Sequence, residues 1–135
     1  MKIRELLAIE SIELSGSATS KKDALDQMVA LMAKSGKIND VEKYRQGVYA
    51  REKEGTTGIG EGIAIPHCKS DAVTRPGLAA MVVSDGVDFD ALDGGKVDLI
   101  FLIAAPNSED NVHLDVLSKL SVLLMDENFT KGLRN

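Results

Sequence analysis

Two stretches without a polar residue, Leu78–Val83 and Leu99–Ala105, constrain the fold of this chain more than any other feature. Each has the length of a strand, and neither shows the alternation of a strand with one wet face. Strands of that kind are buried on both faces, so helices must cover both sides of the sheet that contains them. Pro106 closes the second run, and Asp85-Gly86 and Gly94-Gly95 are turn signals between the two. Ile63–Ile65 is a shorter apolar run closed by Pro66, and Ile12–Leu14 is a candidate edge strand.

The first half also carries two helical patterns. Ser20 and Asp23 form an S-x-x-D start signal. Leu25, Met28, Val29 and Met32 then fall at i, i+3, i+4 and i+7, and Gly36 is the expected stop. Asn39 and Glu42 mark a second start, from which Val41, Tyr44 and Val48 continue one face to about Glu54, before Gly55. A third helix is predicted from about Asp110 to Asp126, with His113, Leu117, Leu120 and Leu124 on one stripe. The tail from Phe129 begins a helix-like segment and does not finish it. Either the end frays, or the domain is cut from a longer chain. The order helix, helix, strands, helix predicts an α/β fold with a mixed sheet.

Composition narrows the function. A length of 135 residues suits one domain. Sixteen Lys and Arg against 21 Asp and Glu give 16 − 21 = −5, and there is no basic run, so nucleic-acid wrapping is not expected. The single Cys excludes an internal disulfide and a cysteine-cluster metal site, and fits a reducing compartment. No apolar stretch approaches the roughly 18 residues of a membrane span. Charges inside the apolar positions of the first 14 residues do not fit a signal peptide.

The two histidines have different settings. His67 follows Gly58, Gly60, Gly62, the short apolar run and Pro66. Proline fixes its own φ and biases the preceding residue to extended geometry, which would aim His67 off the end of a strand, where ligand sites of α/β sheets favour sitting. The competing reading is a surface histidine in a loop. The glycines match neither a Walker loop nor the dinucleotide fingerprint, and they precede a strand where those precede a helix. His113 lies in the first turn of the predicted third helix, where anions are favoured and a positive imidazole is not. It reads either as a core histidine or as a neutral hydrogen-bond donor.

Other chemistry is poorly supported. No H-x-x-x-H or H-x-H pair exists, so no metal is expected. No G-x-S-x-G elbow appears. Cys68 adjoins His67, but neighbours on a strand point apart, so Cys68 reads as a small semi-buried residue. Glu52, Lys53 and Glu54 read as a solvated charged helix end. Arg51, three residues after Val48, can turn toward the buried side and reach a polar pocket below the Gly-rich segment. An Arg, a Glu and two His around an anion would suit phosphoryl transfer.

Arg51-Glu-Lys-Glu54, Gly60-Glu-Gly-Ile-Ala-Ile-Pro-His67 and Asn111-Val-His-Leu114 heading a leucine-rich helix together resemble one family. It is the fructose/mannitol-type enzyme IIA domain of the bacterial phosphoenolpyruvate-dependent sugar phosphotransferase system. The likeness covers essentially the whole chain, and the run Gly86–Gly94 is more similar to the fructose branch. The resemblance implies a mixed sheet of about five strands with helices on both faces. It implies that His67 accepts a phosphoryl group from the phosphocarrier HPr, through Nε2, and passes it to a cysteine of a IIB domain. IIB then phosphorylates the sugar, fructose by the same likeness, as IIC moves it across the membrane.

By the same resemblance His113 is the second active-site histidine, Arg51 the helix-end arginine and Glu61 the glutamate of the Gly-rich segment. No cofactor and no metal are implied, and the domain is expected in the cytoplasm without inserting into the membrane. Residues 1–135 would be a single IIA domain lacking its last helix, from a larger permease. Ile59, Ile63 and Leu114 are expected at the rim where HPr and IIB dock. The alternative is a regulatory module, nitrogen-related or attached to a transcription factor, that signals by phosphorylation state. A third reading is a ligand- or protein-binding domain without phosphoryl chemistry.

Overall fold

The computed structural model describes residues 7–107 together with 118, 119, 122 and 132. Within them the chain runs β1 (Leu7–Gly16), α1 (Lys21–Ala33), α2 (Val41–Glu54), β2 (Gly58–Gly60), β3 (Ile63–Ala64), β4 (His67–Ser70), β5 (Gly77–Val87) and β6 (Val97–Pro106). The strands form one mixed sheet in the order β1-β5-β6-β3-β2, with β4 also paired to β6. β5 and β6 are antiparallel, while β1 runs parallel to β5, and β3 and β4 run parallel to β6. Of the predicted third helix, residues 118, 119 and 122 are described and are helical, while His113 and Leu114 lie outside the described residues.

The two apolar runs become the central pair. Ala79, Met81, Val83, Ile100, Leu102 and Ala104 join the core formed with α1 and α2. Their alternates, Leu78, Ala80, Val82, Leu99, Phe101 and Ile103, are buried as well. Burial on both faces is why these strands show no polar alternation. Deleting most of the Leu102 side chain should leave a cavity in the core it shares with the helices. Leu102→Ala is expected to lower stability by about 2–5 kcal/mol, read as a lower urea midpoint at unchanged slope.

Local chemistry sets the helix ends. Ser20 caps α1 by accepting from the Asp23 amide, and the Asp23 carboxylate accepts from the Thr19 amide. α2 is capped by Asp40, one residue after the expected Asn39: the Asp40 carboxylate accepts from the Lys43 amide at 3.1 Å. The backbone of Asn39 is engaged elsewhere, donating to the Ala72 carbonyl.

Three strand assignments differ from the expectation. Gly58–Gly60 is not a loop but a strand antiparallel to β3, and the tight turn at Gly60-Glu61-Gly62 is made with positive φ at all three residues. β4 is a strand where none was expected. Ile63, Ala64, His67 and Cys68 pair with Leu99, Ile100, Ile103 and Ala104 at one constant register, so β3 and β4 are a single line interrupted at Ile65-Pro66. Proline has no N–H to donate, but its carbonyl accepts from the Ile103 amide, and the register survives. This interruption raises the strand count from about five to six. Asp85-Gly86 is not a turn between strands: Gly86, at φ 73°, sits in an irregularity within β5 between Val82 and Val87. No helix among the described residues is long and apolar enough to cross a membrane.

Candidate phosphoryl-acceptor site

His67 is the first residue of β4, so its backbone is held by β6 rather than by a loop. Its Nδ1 lies 3.0 Å from the Ile65 carbonyl. A carbonyl only accepts, so Nδ1 carries the proton, and the lone pair of the neutral ring is on Nε2. The Ile65–Pro66 break creates this arrangement by bringing a carbonyl two residues back within reach of the ring. Behind the strand, fully buried Tyr44 donates its hydroxyl to the carbonyl of Ile103, the register partner of His67. Burial holds the Tyr44 pKa well above the ordinary phenol value, so it remains a donor.

Arg51 stands in the last turn of α2 and donates from Nη1 to the Gly55 carbonyl at 2.9 Å. Arg51, Glu54, His67, Cys68 and Lys69, with Gly47 and Ala50, line one cleft of about 360 Å³. Two cations against one carboxylate leave the cleft suited to an anion next to the imidazole. Cys68 also packs into the core beneath the cleft, and burial pushes its thiol up to about 11. It is no thiolate near neutral pH, in keeping with the semi-buried reading.

Gly47 lets α2 approach β4. A methyl group there would meet the Cys68 Sγ at 2.5 Å. Alanine gains up to about 1 kcal/mol of helix propensity over glycine, and overpacking costs typically 1–3 kcal/mol. Gly47→Ala should therefore change stability modestly but lever α2, and Arg51 with it, away from His67. Phosphoryl acceptance should fall, and the double variant Gly47→Ala/Cys68→Ala, which removes the clashing sulfur, should recover it. Equal rates in wild type and Gly47→Ala, measured by quenched intact mass, would refute this coupling.

Glu61 lines a groove other than the His67 cleft. It occupies the exposed tip of the β2–β3 turn at φ 56°, its amide donating to Asp93 Oδ2, and it lines a separate groove with Ser84, Lys96 and Asp98. Gly62 is bonded to Asp98 whereas His67 pairs with Ile103, five residues further along β6. At ~3.3 Å per residue that separation is about 16 Å. His113 lies outside the described residues.

Glu52 contradicts the reading of a solvated helix end. It is 9% exposed, pairs with Lys21 Nζ at 2.9 Å, and accepts from both the amide and the hydroxyl of Thr57. The spacing held the signal: Glu52 is four residues after Val48 and continues the buried stripe of α2.

The family model described as "Phosphoenolpyruvate-dependent sugar phosphotransferase system, EIIA 2" matches residues 5–135. The chain is 45% identical over 133 residues to the fructose-specific EIIABC component of the phosphotransferase system of Bacillus subtilis. That match covers 98% of this chain and 21% of the relative, so the chain spans about a fifth of that protein's length. The crystal structure of the nitrogen regulatory protein IIA-Ntr from Neisseria meningitidis superposes with a TM-score of 0.88 at 32% identity, covering 97% of this chain and 89% of that one. The enzyme IIA of the mannitol system of Escherichia coli, solved in complex with phosphorylated enzyme IIB, gives a TM-score of 0.82 at 30% identity, covering 96% and 90%.

Proposed function

Because this chain belongs to the phosphoenolpyruvate-dependent sugar phosphotransferase system EIIA 2 family, we propose that it is a phosphoryl carrier working through His67. HPr is the donor and a cysteine of a IIB domain is the acceptor. The observation that carries this reading is the tie between His67 Nδ1 and the Ile65 carbonyl, in a cleft shared with Arg51 and Lys69. It leaves the nucleophilic lone pair on Nε2.

In the first half-reaction Nε2 attacks phosphorus, the bond from phosphorus to the donor breaks, and the donor leaves with the electron pair. The second half-reaction reverses these roles toward IIB. Positioning and charge stabilisation are the protein's contribution to phosphoryl transfer. Arg51 and Lys69 offset charge on the phosphoryl oxygens, and His113 holds one of those oxygens or orients the ring. Glu61, a groove away, acts on the docked partner rather than on the phosphoryl group. Fructose is the favoured sugar, from the fructose-specific relative and from the Gly86–Gly94 run. On this reading the domain works in the cytoplasm as part of a permease.

A regulatory role is the second reading, favoured by the close superposition on IIA-Ntr along nearly the whole of both chains. One experiment separates them. The protein is charged with phosphoenolpyruvate, enzyme I and HPr, then chased with a fructose-type IIB domain. Rapid discharge to the IIB cysteine supports transport, while charging without discharge supports regulation. Absence of any charging would contradict both.

A further inference from the structure

We propose that Glu52 is a positioning residue for phosphoryl transfer, holding Arg51 at the His67 cleft by clamping the loop that follows α2. The proposal rests on the phosphoryl-carrier reading. Glu52 is the one buried charged side chain among the described residues. A carboxylate is costly to bury unless it is both paired and hydrogen-bonded, and a plain helix end does not need one. Here it is satisfied by two other segments. Lys21 at the start of α1 supplies the counter-charge, with its Nζ also 4.9 Å from the Phe89 ring centre. Thr57, the residue before β2, donates both its amide and its hydroxyl.

The loop between Glu52 and Thr57 is thereby fixed at both ends. Within it the Gly55 amide donates to the Glu52 carbonyl, and the Thr56 hydroxyl donates to the Phe89 carbonyl. The Gly55 carbonyl is the acceptor of Arg51 Nη1. The group that orients the guanidinium therefore belongs to the loop that Glu52 clamps. Loosening the clamp frees Gly55, and Arg51 loses its fixed place in the cleft.

The test uses phosphoramidate, a small phosphoryl donor that needs no protein docking. His67 Nε2 attacks its phosphorus, the P–N bond breaks, and the nitrogen takes a proton and leaves as ammonia. Since misplacing a catalytic group by about 1 Å can cost roughly 100-fold, Glu52→Gln and Thr57→Val should each slow labelling about 10- to 100-fold. Thr57→Ser, which keeps the donor, should stay near wild type, as should Lys53→Ala, the exposed neighbour. In an Arg51→Ala background Glu52→Gln should add no further loss. A merely structural residue would slow labelling in both backgrounds, and that result would overturn the proposal.

A second readout is independent of transfer. In nitrogen-edited NMR the hydrogen-bonded Arg51 guanidinium signal should be present in wild type and lost in Glu52→Gln and Thr57→Val, with the backbone amide spectrum preserved. An unchanged guanidinium signal in a folded Thr57→Val protein would overturn the proposal. Failure of wild type to take up any phosphoryl group would instead count against the carrier reading, and the Arg51 signal would still decide the role of Glu52.

Discussion

His67→Ala takes up no phosphoryl group from phospho-HPr, under conditions that charge wild type fully. The expected loss is complete because no other described side chain offers an equivalent nucleophile. Cys68 is held as a thiol by burial, with its pKa pushed up to about 11. Tyr44 is fully buried, and burial holds it in its protonated form. The fold should survive, since the pairing of β4 with Ile103 and Ala104 is made by backbone groups that alanine retains. Far-ultraviolet circular dichroism and the urea midpoint check that point. Labelling of a folded His67→Ala protein at the wild-type rate would remove the histidine from the reaction.

Arg51→Ala has the second-largest expected effect. A transferring phosphoryl group spreads negative charge over its oxygens, and a guanidinium can meet two of them at once. Removing one such preorganised donor typically costs about 10²–10³ in rate. Stability should barely change, because the bond from the side chain to the Gly55 carbonyl is solvent-exposed. Arg51→Lys keeps the charge but loses the fork, so it should fall between the two. The measurement is the single-turnover rate of label transfer from phospho-HPr at saturating donor. A rate within twofold of wild type in Arg51→Ala would mean that the guanidinium stands aside from the reacting group.

The central sheet was legible because burial on both faces writes an unmistakable pattern. Leu78–Val83 and Leu99–Ala105 lie within β5 and β6. The edges were not legible in the same way. Gly-Ile-Gly and His-Cys-Lys-Ser carry no strand pattern of their own, and they are extended because β3 and β6 supply their hydrogen-bond partners. Reading Pro66 as the end of a strand was reasonable locally, yet the fixed register across β6 carries the line past it. The Arg51 side of the cleft followed from counting three residues on from Val48. The same count carried one residue further reaches Glu52, where a run of alternating charges concealed a buried carboxylate. Glu61 was named by resemblance alone, and no pattern in the sequence showed that its turn lines a groove other than the His67 cleft.

The most direct test of the account is to charge the wild-type protein, labelled with nitrogen-15 in its histidines, and record the long-range proton–nitrogen spectrum of the imidazoles at alkaline pH. The account predicts one phosphoryl group, on His67, with phosphorus coupling seen at Nε2 and the proton retained on Nδ1 against the Ile65 carbonyl. Phosphorus on Nδ1 of His67, or on His113, would contradict it.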